Sequence, residues 1–185
     1  PRLPQARTQG SSCTSCHGDP SRTPAALAPA PPTDVRGGTD TSSAGVGAHQ
    51  RHLLGGSIRG ALACDECHRV PTDSAHASGP LDLTWGALAR SGGAVPTWDG
   101  IRLTCTNYCH GATLRGGSGT TPVWNVVDGT QAACGTCHGL PPPAPHPPVS
   151  SARTGCVTCH PATMNADGTV NVAGGKHVDG KVEAI

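Results

Sequence analysis

The ten cysteines of this chain fall into five pairs, and a histidine directly follows the second cysteine of every pair. Two residues separate the cysteines in four of the pairs, and three residues separate them in the remaining one. The motifs are, in chain order, Cys13-Thr-Ser-Cys16-His17, Cys64-Asp-Glu-Cys67-His68, Cys105-Thr-Asn-Tyr-Cys109-His110, Cys134-Gly-Thr-Cys137-His138 and Cys156-Val-Thr-Cys159-His160. Because every cysteine is used in the same arrangement, the pattern predicts one kind of site that occurs five times.

Three chemistries use paired cysteines. A framework of five disulfides would consume all ten thiols, but it gives no reason for a histidine after each pair. Structural zinc sites need two such pairs per metal, and five pairs is an odd number. Covalent haem attachment explains the whole motif, because two neighbouring thiols form thioethers with one porphyrin and the adjacent histidine becomes the proximal iron ligand. We therefore predict five covalent haems c, with Cys105 and Cys109 on a longer loop that keeps His110 in register.

The histidines outside the motifs are also five in number, which matches the number of predicted haems. They are His49, His52, His76, His146 and His177. The match predicts two histidine ligands at every iron, and because Met164 is the sole methionine, at most one haem takes a Met/His pair instead. The sequence does not assign a particular distal histidine to a particular iron, and one of them could serve a neighbouring subunit.

Short elements must position these ligands. His49 and His52 lie three residues apart, so on one helical turn they share a face and could ligate two adjacent haems. Helical turns are predicted at each CxxCH motif, around His49 to Leu54 and from Asp82 to Ala89. Short strands are predicted at Val123 to Val127 and Thr169 to Val172.

The composition is too poor in large apolar residues for an ordinary core. Leu, Ile, Val and Phe make up 27 of 185 residues, below the level expected for a packed interior. The 26 Gly and 18 Pro disfavour long helices and strands. Disorder is the alternative, but disordered chains usually carry high net charge and few cysteines, whereas the net charge here is +1. The expected fold is a mostly irregular multihaem cytochrome c, with little or no sheet and a core formed by the haems.

We predict a single pentahaem domain over residues 1–185, in which residues 1–45 form an extended segment that carries the first haem. Within it, the stretch from Thr23 to Ser43 is expected to be an extended connector with polyproline character. One haem for about 37 residues places the haems close together. The few aromatic residues, Trp85, Trp98, Trp124 and Tyr108, are expected to pack against porphyrin faces.

Charge and hydropathy restrict the function further. No apolar run is long enough to cross a bilayer, so no transmembrane segment is expected. The ionised propionates of five haems would shift the formal charge of +1 to roughly −4 to −9, so nothing basic and aromatic remains to suggest nucleic-acid binding. If every iron has two protein ligands, no position is open for a substrate, and the chain is an electron carrier or conduit rather than an enzyme. The alternatives are a multihaem reductase with one open haem, and a haem-based sensor or storage module.

The chain resembles multihaem cytochromes of metal-reducing bacteria, which mix CxxCH motifs with longer CxxxxCH motifs. The resemblance runs from about Val46 to the C-terminus, and the third motif is one residue shorter than the usual long form. It rests on the segments Val46-Gly-Ala-His-Gln-Arg-His-Leu53, Cys64-Asp-Glu-Cys-His-Arg-Val-Pro71, Cys105-Thr-Asn-Tyr-Cys-His-Gly111, Cys134-Gly-Thr-Cys-His-Gly-Leu-Pro-Pro142 and His177-Val-Asp-Gly-Lys-Val182.

This resemblance implies low-potential haems and export, with an extracellular or cell-surface location after signal-peptide removal and the periplasm as the alternative. It implies electron transfer to other redox proteins or extracellular acceptors. It also implies a relation to cytochromes that self-associate into filaments, or nanowires, with a continuous haem chain. A monomeric shuttle is the alternative to such a filament.

Overall fold

Regular secondary structure is sparse in the computed structural model, which describes residues 14–72, 81–150 and 152–183. These ranges contain one α-helix, α1 (His49–Leu54), and one antiparallel pair of strands, β1 (Thr97–Asp99) and β2 (Thr104–Thr106). They also contain short 3-10 helices at Ala25–Leu27, Cys64–Glu66, Ser91–Gly93, Tyr108–His110, Thr130–Ala132, Arg153–Thr158 and Val172–Gly174. Turns and irregular chain make up the rest of the described residues.

Helix α1 forms where the sequence predicts it. Gly55 ends it with a φ of 71°, a left-handed conformation that glycine adopts without a steric penalty. Leu53 is buried, and the Gln50 amide donates to the Pro31 carbonyl at 2.6 Å. The helix is therefore anchored to the N-terminal loop, while its two histidines remain available to other segments.

The two strands form a hairpin that the sequence reasoning did not predict. Trp98 pairs with Cys105 across the ladder, and the Thr97 and Thr106 hydroxyls hydrogen-bond at 2.7 Å. Asp99 holds the turn, since its carboxylate accepts from the backbone of Ile101 at 2.9 Å. The third motif thus begins in a strand, and only its second half is helical.

Helical turns occur at some of the predicted motif positions but not at all of them. The second, third and fifth motifs contain 3-10 helix, whereas residues 14–17 and 134–138 form turns and bends. The helical turn predicted from Asp82 to Ala89 is wrong for residues 82–86, and residues 87–89 form only a turn. Thr84 and Gly86 donate their N–H groups to carbonyls of Cys67 and Glu66, so this segment lies against the second motif instead of bonding within itself.

The predicted strands at Val123 to Val127 and Thr169 to Val172 are also wrong. Each contributes a single bridge residue, Val123 opposite Thr104 and Val170 opposite Met164. At the first site the chain turns at once, because the Val126 N–H bonds back to the Val123 carbonyl at 3.1 Å. One bridge per segment is too little for a ladder to propagate.

The segment from Thr23 to Ser43 is folded back on itself and is not an extended connector. Gly18 and Thr33 exchange backbone hydrogen bonds at 2.7 and 3.3 Å. The Arg22 guanidinium donates to the carbonyls of Leu27, Ala30 and Pro32. One arginine side chain therefore holds the turns of this proline-rich loop together, beside the first motif.

Few apolar side chains are buried in the part of the chain that the structure describes. They are Ala28, Val46, Leu53, Ala89 and Ala94, and Val46 is the largest that is fully buried. A core this small agrees with the low apolar content of the sequence. No helix among the described residues is long and apolar enough to cross a membrane.

Candidate haem-binding sites

Four histidines of the CxxCH-type motifs each lie opposite one histidine from outside the motifs. The ring centroids of every pair are 6.0 to 6.3 Å apart. The pairs are His68 with His49 (6.1 Å), His110 with His52 (6.0 Å), His138 with His177 (6.3 Å) and His160 with His146 (6.3 Å). The described part of the chain therefore joins motif and non-motif histidines one to one.

This spacing fits two imidazoles bound to opposite sides of one metal ion. A metal–nitrogen bond of about 2.0–2.1 Å and a ring radius of about 1.1 Å place the centres of two trans imidazoles about 6.3 Å apart. Direct ring packing would give distances that depend on the ring angle. Here the interplanar angle ranges from 17° to 85° while the separation stays nearly constant. Rotation about a common nitrogen–metal axis has this property.

Hydrogen bonds to backbone carbonyls orient most of these rings through Nδ1. In at least seven of the nine described histidines, Nδ1 lies within hydrogen-bonding distance of a backbone carbonyl, and a carbonyl only accepts, so Nδ1 carries the proton. Nε2 is then the unprotonated nitrogen, as in histidines that bind metals in proteins. These bonds run from His17 to Pro29, His49 to Val46, His52 to Ala48, His138 to Gly139, His146 to Pro147, His160 to Glu183 and His177 to Ile58.

On α1 the two bonds come from the helix itself. His49 donates to the carbonyl three residues earlier at 2.8 Å, and His52 donates to the carbonyl four residues earlier at 2.9 Å. Both carbonyls also accept a backbone N–H, that of His49 at 3.3 Å and that of His52 at 3.1 Å, so each uses its second lone pair for the imidazole. The helix therefore directs both Nε2 atoms away from its backbone.

Burial favours the neutral form of several ligand candidates. It lowers the pKa of His49 to about 4, with smaller contributions from the neighbouring His68, His52 and His17. It also lowers the pKa of His110 to about 4, and it lowers the pKa of His177. A neutral imidazole is the form that ligates a metal.

The nine described cysteines are free of disulfides. Burial raises the pKa of the Cys105 and Cys109 thiols to about 11 in each case. Thiols with raised pKa values are poor nucleophiles and poor thiolate ligands, which does not fit a redox-active dithiol. Among the described residues no cluster of three or more His, Cys, Asp or Glu side chains could hold a metal ion, so the four ligands of a structural zinc site are not assembled there.

The distal histidines of the last two pairs occur in the opposite order to their motifs along the chain. His146 follows the fourth motif by eight residues, yet it lies opposite His160 of the fifth motif, while His177 lies opposite His138 of the fourth. The C-terminal segment is held in place for this by two long-range bonds. His177 donates to the Ile58 carbonyl at 2.9 Å, and Arg59 donates to the Val178 carbonyl at 3.1 Å.

Successive motifs contact one another. Burial is the main cause of the raised pKa of Cys105, and Cys67 lies close enough to add to it. The Glu66 carboxylate accepts from the Ala89 N–H at 3.3 Å. The Ala89 carbonyl in turn accepts from Tyr108 at 3.0 Å. One loop therefore links the second motif to the third.

Similar contacts continue along the chain. A Cβ added at Gly111 would overlap the Cys137 carbonyl, so the third and fourth motifs approach at backbone distance. The Arg153 guanidinium lies 3.3 Å from the Cys134 sulfur, which brings the fifth motif to the fourth. At the other end, His17 lies near enough to His49 to affect its pKa. The five motifs thus form a continuous series.

Four further residues of the predicted sites stand outside the four histidine pairs. Cys13 and His76 lie outside the described residues. His17 donates to the Pro29 carbonyl at 2.5 Å. Met164, the alternative axial ligand, donates its backbone N–H to the His160 carbonyl at 2.9 Å. His160 has His146 as its ring partner, so the histidine pairing uses no methionine at that motif.

Sequence reasoning did not identify Asn107, and it did not predict the contact of Trp124 with the α1 histidines. Asn107, inside the third motif, is buried, and its side-chain oxygen accepts from the His110 N–H at 3.1 Å. Asparagine ahead of a helical turn is a capping signal that points to this role. Trp124 contacts both histidines of α1. No local signal reveals that contact, because the partners lie more than 70 residues apart.

Comparison with known proteins gives no further assignment. No protein-family model matches the chain, and neither the curated proteins nor the solved structures contain a significant match.

Proposed function

We propose that this chain is an electron carrier that binds five haems c covalently, with two histidine ligands at each iron. The observation that carries the proposal is the one-to-one pairing of four motif histidines with four non-motif histidines at 6.0 to 6.3 Å. When bound, haem supplies an iron that changes oxidation state and so accepts and releases one electron at a time. The chain supplies attachment, axial ligation and close placement.

The residues divide into three roles. The cysteine pairs supply the thioether bonds to each haem. The motif histidines His17, His68, His110, His138 and His160 are the proximal ligands. The distal ligands of the last four are, in the same order, His49, His52, His177 and His146. His76 remains for the first haem by elimination, since the sequence alone assigns no distal histidine to a particular iron.

Closed coordination favours a carrier over a reductase. A reductase needs a position at which substrate reaches the metal, whereas each of the four pairs would supply two imidazoles to one iron. The contacts between successive motifs support passage of electrons along the chain. Two histidine ligands also favour lower potentials than a Met/His pair does. Self-association into a filament and an extracellular location stay predictions from the family resemblance.

The test is expression with export into a bacterial periplasm that contains the machinery for c-type cytochrome maturation. We expect an intact mass that corresponds to five attached haems, low-spin optical spectra in both oxidation states, and no CO binding on reduction. A matched control replaces Cys64 and Cys67 with serine, which removes one haem and leaves four.

Two results contradict the proposal in different ways. A chain that is exported and matured without haem, and that forms disulfides or binds zinc instead, refutes haem attachment. A chain with five haems of which one binds CO stoichiometrically has an open iron, and that result favours the reductase.

A further inference from the structure

Trp124 lies between the two histidines of α1. Its ring centroid is 4.8 Å from that of His49, edge to face at 86°, and 5.7 Å from that of His52, stacked at 18°. One indole therefore contacts a member of two different histidine pairs. The two imidazoles consequently stand roughly perpendicular to each other, although they project from neighbouring positions of one short helix.

Hydrogen bonds hold the indole in this position. Its Nε1–H donates to the Ala44 carbonyl at 2.8 Å, and its backbone N–H donates to Leu103 at 2.6 Å. The Gln131 amide accepts from Val123 at 2.6 Å and donates to Val126 at 2.7 Å, which fixes the chain on both sides. The ring thus links the α1 segment to the hairpin that leads into the third motif.

Glycine permits the close approach of this ring. Gly47 has a φ of 41°, and a Cβ added there would overlap the indole nitrogen and its two neighbouring carbons. Trp98 lies edge to face with the same indole, with ring centroids 6.3 Å apart. The indole therefore has the Gly47 backbone, Trp98 and the two histidines as neighbours, and these contacts restrict the rotation of its plane.

We propose that Trp124 is a positioning residue that sets the ring planes of His49 and His52, and so the angle that each makes with its partner ligand. The inference rests on the proposed function. His49 is nearly parallel to His68, at 17°, whereas His52 is nearly perpendicular to His110, at 85°. An imidazole bound through Nε2 can rotate about the nitrogen–metal axis, and a neighbouring ring face restricts that rotation.

The ring angle has a spectroscopic consequence. Two parallel axial imidazoles split the iron d orbitals strongly and give a rhombic low-spin ferric EPR signal. Two crossed imidazoles leave those orbitals nearly degenerate and give a more anisotropic signal. Removal of the indole should therefore change the signals of the two haems ligated from α1 and leave the others unchanged.

The experiment compares Trp124→Ala and Trp124→Phe with the wild type, and Trp85→Ala is the matched control. Trp85 makes no ring contact with a described histidine. Haem content by intact mass, ferric EPR and CO binding after reduction are measured for each protein. We expect five haems in all of them. In Trp124→Ala the signals of up to two haems in five should shift without CO binding, because both histidine ligands remain, and Trp124→Phe should restore most of the wild-type spectrum.

Trp124→Leu keeps apolar volume without a planar face, and it serves if the alanine variant does not fold. The proposal is overturned if a folded Ala or Leu variant has the wild-type spectrum, or if Trp85→Ala changes the spectrum equally. Either result, in a protein that still carries five haems, refutes only the positioning role of Trp124. A chain without haem refutes the proposed function itself.

Discussion

The crossed pairing of the last two motifs gives a sharp prediction. The structure places His177 opposite His138 and His146 opposite His160, although His146 is much closer in sequence to the fourth motif. Replacement of His177 by alanine should remove the distal ligand of the fourth haem. Replacement of His146 by alanine should do the same at the fifth haem. Each variant is the matched control for the other.

The magnitude follows from the number of sites. With five motifs in the chain, each variant should keep all five haems, because the thioethers are intact. One haem in five should become five-coordinate, so CO should bind to about 20% of the total haem after reduction. The double variant should reach about 40%, since the two sites are separate.

The ring angles tell the two variants apart. His138 and His177 are crossed at 64°, whereas His146 and His160 are nearly parallel at 20°. His177→Ala should therefore remove a signal of the crossed class from the ferric EPR spectrum, and His146→Ala a signal of the parallel class. The reverse assignment would show that the distal ligands do not cross. An unchanged low-spin spectrum in His177→Ala would show that His177 is not a ligand.

Two further predictions concern the supports of the sites. Gly37 has a φ of 83° and open space around it. Gly37→Ala should therefore lower the free energy of unfolding by about 1–2 kcal/mol, through the strain of the left-handed conformation alone. Gly47→Ala should lower it by about 1–3 kcal/mol more, through overpacking against Trp124. Thermal unfolding of the two variants measures the difference. Equal melting temperatures would contradict the close approach of Gly47 and Trp124. Asn107→Ala should lower stability by about 1–2 kcal/mol through loss of a cap, or Tm by roughly 2–8 °C at this chain length. Asn107→Asp, which keeps an acceptor for the His110 N–H, should retain most of that stability, and equal losses in both variants would refute the capping role.

The elements predicted correctly are those with a local cause. Helix α1 follows from a short run of residues that ends at Gly55, whose positive φ stops the helix. The elements predicted wrongly depend on distant partners. Residues 82–89 lost their expected helix because Thr84 and Gly86 bond to the second motif. The proline-rich loop folded back because Arg22 finds three carbonyls in it, which composition does not reveal.

The motifs and the number of spare histidines are properties of the sequence alone, because the chemistry of a CxxCH motif is contained in five consecutive residues. They predict how many haems the chain holds and that each iron has two ligands. The pairing is different in kind. His177 is close to His138 only because the C-terminal segment bonds to Ile58 and Val178 bonds to Arg59, contacts that span 119 residues. The tertiary structure alone decided these pairs, their ring angles and the position of Trp124 between two of them, since each depends on segments that meet only in the folded chain.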